Sequence, residues 1–336
     1  MQAIVLRSSG GPEQLRLEEV PTPDPGYREV LVALRYAALN RRDLLVRTRP
    51  GYQESMPFIP GSDGAGEIAA TGPGVRGFQV GDRAVIYPAL NWGIHESHPS
   101  EAFEILGGPT DGTYAQYVRL PEENVFPIPP GLSTQQAAAL PVAGLTAWRA
   151  LISKARLQPG ERVFIPGIGS GAALFATQIA RLAGGRIFVT SHSDEKIRRA
   201  LEIGAEAGAN YTDPGWVEEI RKRSGGGVEV VIDSVGSATF STGLDLLRPG
   251  GRLVTFGSTS GASISLEVRQ LYSRQITIFG TTMGSPREFE AFQAAFASAG
   301  LLPVIDRSYS LKDAAEAHRR MESKEQFGKI LLEAEG

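Results

Sequence analysis

Glu161-Arg-Val-Phe-Ile-Pro-Gly167-Ile-Gly169-Ser-Gly171-Ala172 opens a stretch that runs through a long apolar segment to Gly185-Arg-Ile-Phe-Val-Thr-Ser191. Val163-Phe-Ile165 is a short apolar run, the mark of a strand covered on both faces. Gly167, Gly169 and Gly171 follow at two-residue intervals. Glycine tolerates positive φ and lets a backbone approach another group closely. Residues 172–182 then carry small and apolar side chains at helical spacing, broken by Gln178 and Arg181. The result is strand, glycine turn, helix, strand: one βαβ unit. The first amides of such a helix lack partners, and the helix dipole favours an anion there, most often a pyrophosphate. A GxGxxG fingerprint read from Gly167 has Ala172 in its last position. A tight turn without a ligand is the alternative, and the surrounding elements favour the phosphate cradle.

Outward from this unit the alternation continues. Helices are expected at 194–203, 213–223 and 238–247, and strands at 228–232, 251–256 and 275–280. That order predicts an α/β domain with a doubly wound parallel sheet. Upstream the chain is mostly β and dense in Gly and Pro turns. It reads as a hairpin (3–6 with 15–20), strands at 29–37, 83–87 and 114–120, and a short helix after Asn40, together a partly closed barrel. Residues 89–112 form the longest irregular segment. Helices are expected at 134–140 and 142–154. From Pro286 the pattern is helix 287–298, strand 308–310, helix 312–323 and strand 328–333. This is no longer βαβ, so the tail is expected to rejoin the first domain.

Composition excludes several classes. The 336 residues suffice for two domains, and a net charge of −3 without like-charge runs gives no footprint for nucleic acid or an anionic membrane. With no cysteine, disulfides, thiolate zinc sites, iron–sulfur clusters and a Cys nucleophile are ruled out. Residues 1–7 are a short strand-like run ending in a charge, without a signal-peptide core, and no apolar stretch approaches a membrane span. A cytoplasmic protein is expected.

Several segments, in their order and spacing, resemble the medium-chain dehydrogenase/reductase superfamily, most of all its zinc-free quinone oxidoreductase branch. They are Ala38-Leu-Asn40 with Asp43, Pro60-Gly61-Ser62-Asp63-Gly-Ala-Gly66, Gly81-Asp82-Arg83, Asp111-Gly112-Thr-Tyr-Ala115, Gly144-Leu-Thr146, Ile232-Asp233-Ser-Val-Gly236 and Phe327-Gly328-Lys329-Ile330. The resemblance covers nearly the whole chain. It implies a GroES-like catalytic domain (1–126 with 287–336), a Rossmann cofactor domain (127–286) and an active-site cleft between them. It also implies a homodimer or tetramer joined near residues 275–280. Where zinc members carry a Cys ligand, a His and Glu after glycine, and a later Cys, this chain has Asn40, Ser62-Asp63 and Val142. No metal is expected. The structural-zinc loop is replaced by Asn91-Trp-Gly-Ile-His95-Glu-Ser-His98, whose histidine spacing suits a metal but reads better as an exposed polar loop.

The second strand of an NAD site ends in a carboxylate for the ribose 2′-OH. Here it ends at Ser191, so NADP(H) is expected, with Ser191, Ser193, Lys196 and Tyr211 near the 2′-phosphate. His192, Arg198 and Arg199 are alternates, the arginines reading better as a solvated face. Thr146 matches a family position beside the nicotinamide. Gly167, Gly169, Ser170, Gly171 and Ala172 would hold the pyrophosphate, and Phe256-Gly257 and Phe279-Gly280 would meet the ring through their backbones. Lys329 either approaches the pyrophosphate or is a surface charge.

Without zinc, a carbonyl is not polarised by a metal, yet a quinone or conjugated enone still accepts hydride at carbon. The protein must then position that carbon and donate to the oxygen gathering charge. Asn40 and Tyr52 are candidate donors, oriented by Ser62 and Asp63, with solvent supplying the proton. The expected activity is NADPH-dependent reduction of small-molecule quinones or α,β-unsaturated carbonyls. The alternatives are an alcohol dehydrogenase-like enzyme with a metal on Asp43, Asp63, His95 or His98, and a non-catalytic NADPH-binding protein.

Overall fold

Strand-forming runs and helical runs segregate along this chain, and the computed structural model, which describes residues 1–334, follows them. First come β1 (Gln2–Leu6), β2 (Leu15–Glu19), β3 (Glu29–Ala38), α1 (Arg41–Thr48), β4 (Asp63–Thr71), β5 (Arg83–Ile86), β6 (Ala89–Leu90), β7 (Glu104–Ile105), β8 (Tyr117–Pro121), β9 (Val125–Pro127), α2 (Thr134–Ala138) and α3 (Pro141–Trp148). Next are β10 (Arg162–Ile165), α4 (Gly171–Leu182), β11 (Arg186–Ser191), α5 (Asp194–Glu202), β12 (Ala207–Asn210), α6 (Trp216–Arg223), β13 (Val228–Asp233), α7 (Ser237–Leu246), β14 (Leu247–Thr255), α8 (Val268–Arg274) and β15 (Thr277–Gly280). Last are α9 (Pro286–Ser298), β16 (Ile305–Ser310), α10 (Ala314–Ser323) and β17 (Lys329–Glu333).

Two units result. One comprises Met1–Ala143 and the chain from Gly284 onward; the other is Gly144–Met283. Residues 127–143, read from sequence with the cofactor domain, group with the first unit, where Gln135 donates to Ser308 at 3.1 Å.

In the first unit β3 lies between β17 and β4 and also pairs with β8. Irregularities at Leu31/Val32 and Leu34/Tyr36 bend β3 as a curling sheet requires. Val30, Val32 and Leu34 of β3 meet Ile68, Ile86, Val118 and Val125 in one apolar core. A second core joins the β1–β2 hairpin to α1 and α10 through Ile4, Leu6, Leu44, Ala317 and Ile330. The tail packs in this unit: β17 is antiparallel to β3 and parallel to β16.

The second unit is a six-stranded sheet in the order β12-β11-β10-β13-β14-β15, every neighbouring pair parallel. The chain winds out from β10 to β12, then resumes at β13 on the other side. Such a reversal opens a crevice at the carboxyl ends of the strands. Val163, Phe164 and Ile165 are buried, as strands covered on both faces must be.

Several elements depart from the sequence reading, among them the short β6 and β7 within the segment read as irregular and β9 after it. β12 (Ala207-Gly-Ala-Asn210) lacks β-branched or aromatic residues, and its pairing with β11 makes it a strand. α8 fills a stretch to which the sequence reading assigned no element; Gln275, at φ 53°, ends it, so β15 starts at Thr277. The helix expected over 142–154 widens to a π turn at Arg149–Lys154, where Ala155 N–H reaches back to Ala150 O. Among the described residues no helix is long and apolar enough to cross a membrane.

Candidate functional site

The second unit carries a glycine turn that runs from β10 into α4. Gly167 and Gly169 sit at φ 71° and 123°, where side chains are strained, so the turn after β10 needs both glycines. Ile168 N–H ties the turn to Thr190 O at 2.8 Å. Ser170 caps α4, its Oγ accepting from Ala173 N–H at 3.3 Å. The N–H groups of Gly171 and Ala172 open the helix with no intrahelical acceptor. Glycine backbone, free amides and a 12-residue helix dipole fit a pyrophosphate.

The residues read from the sequence as ribose-side lie at and just after the ends of β11 and β12. Ser191 is buried, and its Oγ accepts from Ser193 N–H at 3.2 Å. Ser193 caps α5, accepting from Lys196 N–H at 3.4 Å, which places Lys196 in the first helical turn. Tyr211 N–H donates to Ser191 O at 2.9 Å, and its hydroxyl meets His192 Nδ1 at 3.2 Å. His192, an alternate in the sequence reading, thus joins this group, whereas Arg198 pairs with Glu195 on the surface of α5. The nearby carboxylate of Asp194 accepts from Asn210 Nδ2 at 2.9 Å.

Phe256 N–H donates to Asp233 O at 3.1 Å, and a β-carbon on Gly257 would lie 2.1 Å from Ser234 O. Asp233, quoted above in a family-like segment but given no role in the site, shapes this turn. Its carboxylate accepts from Val235 N–H, Gly236 N–H and the Thr239 hydroxyl, while burial pushes its pKa up. Phe279 and Gly280 close β15 on the sheet edge, and Thr146 Oγ1 faces the Met283 sulfur at 4.0 Å.

The first unit holds a buried polar cluster that follows from sheet register. Ala38 pairs with Leu331 of β17 on one side and with Asp63 of β4 on the other. Asn40, Asp63 and Lys329 therefore meet at one end of the sheet. Lys329 Nζ donates to Asn40 Oδ1 at 2.7 Å and to Asp63 Oδ2 at 2.8 Å. Asp63 Oδ1 accepts from Val142 N–H at 2.8 Å. Lys329, read as pyrophosphate-directed or as a surface charge, is 3 % exposed, so the surface reading is corrected. An ammonium can be buried here because a carboxylate faces it.

Asn40 also starts α1: its N–H donates to Asp43 Oδ2 at 2.8 Å. The same oxygen accepts from the Tyr114 hydroxyl at 2.9 Å, and that hydroxyl lies 3.4 Å from His318 Nε2. All three side chains are buried. Burial raises the Asp43 carboxyl, burial and the Asp43 charge raise the Tyr114 phenol well above its usual range, and burial with the Arg47 charge lowers the His318 imidazole to about 3. Sequence reasoning did not propose Tyr114 or His318 as site residues. Tyr114 lies in one of the family-like segments, whereas His318 looks like one more polar residue of an amphipathic helix.

Ser62 is held elsewhere, accepting from Arg42 Nη1 at 2.6 Å and donating to Leu106 O at 2.7 Å. Tyr52 lies in a 3₁₀ turn (Pro50–Ser55), half-buried against the hairpin core, with its ring 6.4 Å from that of Phe58. No described hydrogen bond links Tyr52 or Ser62 to Asn40. In the exposed loop the His95 and His98 rings stand 5.0 Å apart, His98 Nδ1 meets Pro99 O at 2.9 Å, and Glu96 accepts from the Ser285 hydroxyl. Among the described residues, no three His, Asp or Glu side chains are grouped to hold a metal.

Comparison with known proteins places both units. Residues 26–130 match the family described as alcohol dehydrogenase GroES-like domain, and residues 171–298 match zinc-binding dehydrogenase. A zinc-type alcohol dehydrogenase-like protein of Schizosaccharomyces pombe is 33% identical, with 99% of both chains covered. A quinone oxidoreductase of Rattus norvegicus is 30% identical over 99% of this chain and 97% of its own. A solved structure described as an NAD-dependent alcohol dehydrogenase superposes with TM-score 0.94 at 39% identity, covering all of both chains. With a GroES-like unit, a Rossmann unit and relatives of this identity along the whole chain, the protein belongs to the medium-chain dehydrogenase/reductase superfamily of nicotinamide-using oxidoreductases.

Proposed function

We propose that this chain is an NADPH-dependent reductase of quinones or α,β-unsaturated carbonyl compounds that works without a metal. One observation carries the reading: the Lys329 ammonium lodged between Asn40 and Asp63. By the resemblance, Asn40 and Ser62 stand at metal-ligand positions and Asp63 stands beside them. Their donors are an amide, a hydroxyl tied to Arg42 and a carboxylate already paired with a cation. That set is poor in the nitrogen and sulfur ligands that zinc prefers, and its positive charge is built into the protein.

Bound NADPH supplies a hydride to the electrophilic carbon of the acceptor. The chain's own part is electrostatic. Asn40 Nδ2 donates to the substrate oxygen as negative charge gathers there, and the nearby ammonium steadies that charge. Water supplies the proton that completes the product. For the cofactor, the absence of a carboxylate at Ser191 and the presence of Ser193, Lys196, His192 and Tyr211 beside it favour a 2′-phosphate. The rat quinone oxidoreductase supports the acceptor class.

We also propose a homodimer. β15 is the edge of its sheet, and Val268 and Tyr272 of the preceding helix are 67% and 63% exposed. Open sheet edges and exposed apolar side chains are each usual places for a second copy.

The decisive assay follows NADPH and NADH oxidation at 340 nm against a panel of quinones and enones with chelator-treated protein. The proposal expects turnover with NADPH and no recovery on adding zinc. Activity seen only as NAD(P)+ reduction by alcohols in a parallel assay, or only after metal is added, overturns it.

A further inference from the structure

A carboxamide is nearly symmetric in shape but not in chemistry. Its oxygen only accepts and its nitrogen only donates. Which end of Asn40 faces a ligand is therefore set by its neighbours. Here Oδ1 takes the Lys329 ammonium at 2.7 Å, and Nδ2 lies 3.5 Å from Ala38 O, a carbonyl that only accepts. The reversed amide would set an NH₂ against an NH₃⁺ and an oxygen against an oxygen. Lys329 is itself fixed by Asp63, and Asp63 by Val142 N–H. We infer that Lys329 is a positioning residue that locks the Asn40 amide so that the N–H not directed at Ala38 O is available as a donor. Only an acceptor oxygen, a carbonyl or quinone oxygen, suits such a site. The inference rests on the reading of Asn40 as the substrate's hydrogen-bond donor and adds what orients it.

The test uses wild type, Asn40→Ala, Lys329→Met with Asp63→Asn, and the triple combination. Pairing the two substitutions removes the ion pair without leaving a lone buried charge. Circular dichroism and NADPH titration confirm that each variant is folded and binds cofactor. With an enone and saturating NADPH, Asn40→Ala is expected to lower kcat by about 100-fold, the scale of a lost oxyanion donor. Lys329→Met/Asp63→Asn is expected to lower kcat by about tenfold with little change in KM, and to add less than about twofold when Asn40 is already Ala. Equal losses in both backgrounds would show a general structural role and overturn the inference. A second readout is independent of catalysis. The Asn40 side-chain NH₂ signals in ¹⁵N spectra, identified by their loss in Asn40→Ala, are expected to shift and broaden in Lys329→Met/Asp63→Asn. Unchanged signals overturn the positioning role even if kcat falls. If kcat is unaffected by Asn40→Ala while the NH₂ signals respond, the donor reading fails and the positioning of Asn40 stands.

Discussion

Asp63 and Lys329 form an ion pair at 2.8 Å whose side chains are 0% and 3% exposed. Such a pair contributes little net stability, because desolvation offsets the attraction, yet losing one partner strands a buried charge at a cost of about 3–5 kcal/mol. Asp63→Ala is expected to lose about that much in urea unfolding. Adding Lys329→Met should recover most of it. A single-variant loss below about 1 kcal/mol would mean the pair behaves as an exposed one.

Cofactor choice is expected to turn on Ser191. Ser191→Asp introduces the carboxylate that accepts from a ribose 2′-OH and repels a 2′-phosphate. Fluorescence titration should show NADPH binding weakened by at least about tenfold and NADH binding strengthened. Unchanged affinity for both would remove this position from the cofactor site.

Acid should destabilise the protein through His318. Its imidazole is held at about 3 in the fold, against 6.5 ordinarily. Between those values the unfolded chain binds a proton that the folded chain does not. Stability therefore falls as pH falls through that window, by about 1.4 kcal/mol per pH unit at most. His318→Gln removes this contribution, so the difference in urea stability between pH 7 and pH 5 should shrink by about 2 kcal/mol.

Gly257 has no room for a side chain, since the new carbon would lie 2.1 Å from Ser234 O. Gly257→Ala must push the strand end away from the β13 turn and is expected to cost about 1–3 kcal/mol. Thermal unfolding measures this, and NADPH titration shows whether the displaced backbone also meets the cofactor.

Assembly is expected to depend on the open edge of the parallel sheet. Val268→Glu combined with Tyr272→Glu places two charges on the helix that precedes β15, at positions already exposed in one chain. Sedimentation should report a monomer for the variant and a dimer for wild type. A variant that still dimerises would direct attention to another surface.

The legible parts of this chain were those whose signals are local. Val163–Ile165, the glycines and the apolar helix after them announce a βαβ unit within thirty residues, and backbone geometry at Gly167 and Gly169 is as the turn demanded. β12 was not legible because Ala207 to Asn210 has no strand-forming side chain; only its neighbour β11 makes it a strand. The surface reading of Lys329 failed for a different reason. A lone lysine at the start of a strand looks like a solvated charge, and its partners Asn40 and Asp63 lie 289 and 266 residues away in sequence. His318 was overlooked because burial on a helix is decided by what packs over it. Here that is the hairpin core and Tyr114, whose ring meets the imidazole edge-on at 5.9 Å.

The position of β17 has a consequence for how the protein is made. Asn40 and Asp63 emerge from the ribosome early, but the ammonium that neutralises Asp63 arrives only with residue 329. Until then the nascent chain carries an uncompensated acid and two unpaired strand edges where β17 will dock against β3 and β16. The Rossmann unit is complete by residue 283 and free to fold first. The first unit must wait for synthesis to pass its last strand. Translation stalled before that point should therefore yield a chain whose cofactor unit resists protease while its barrel does not.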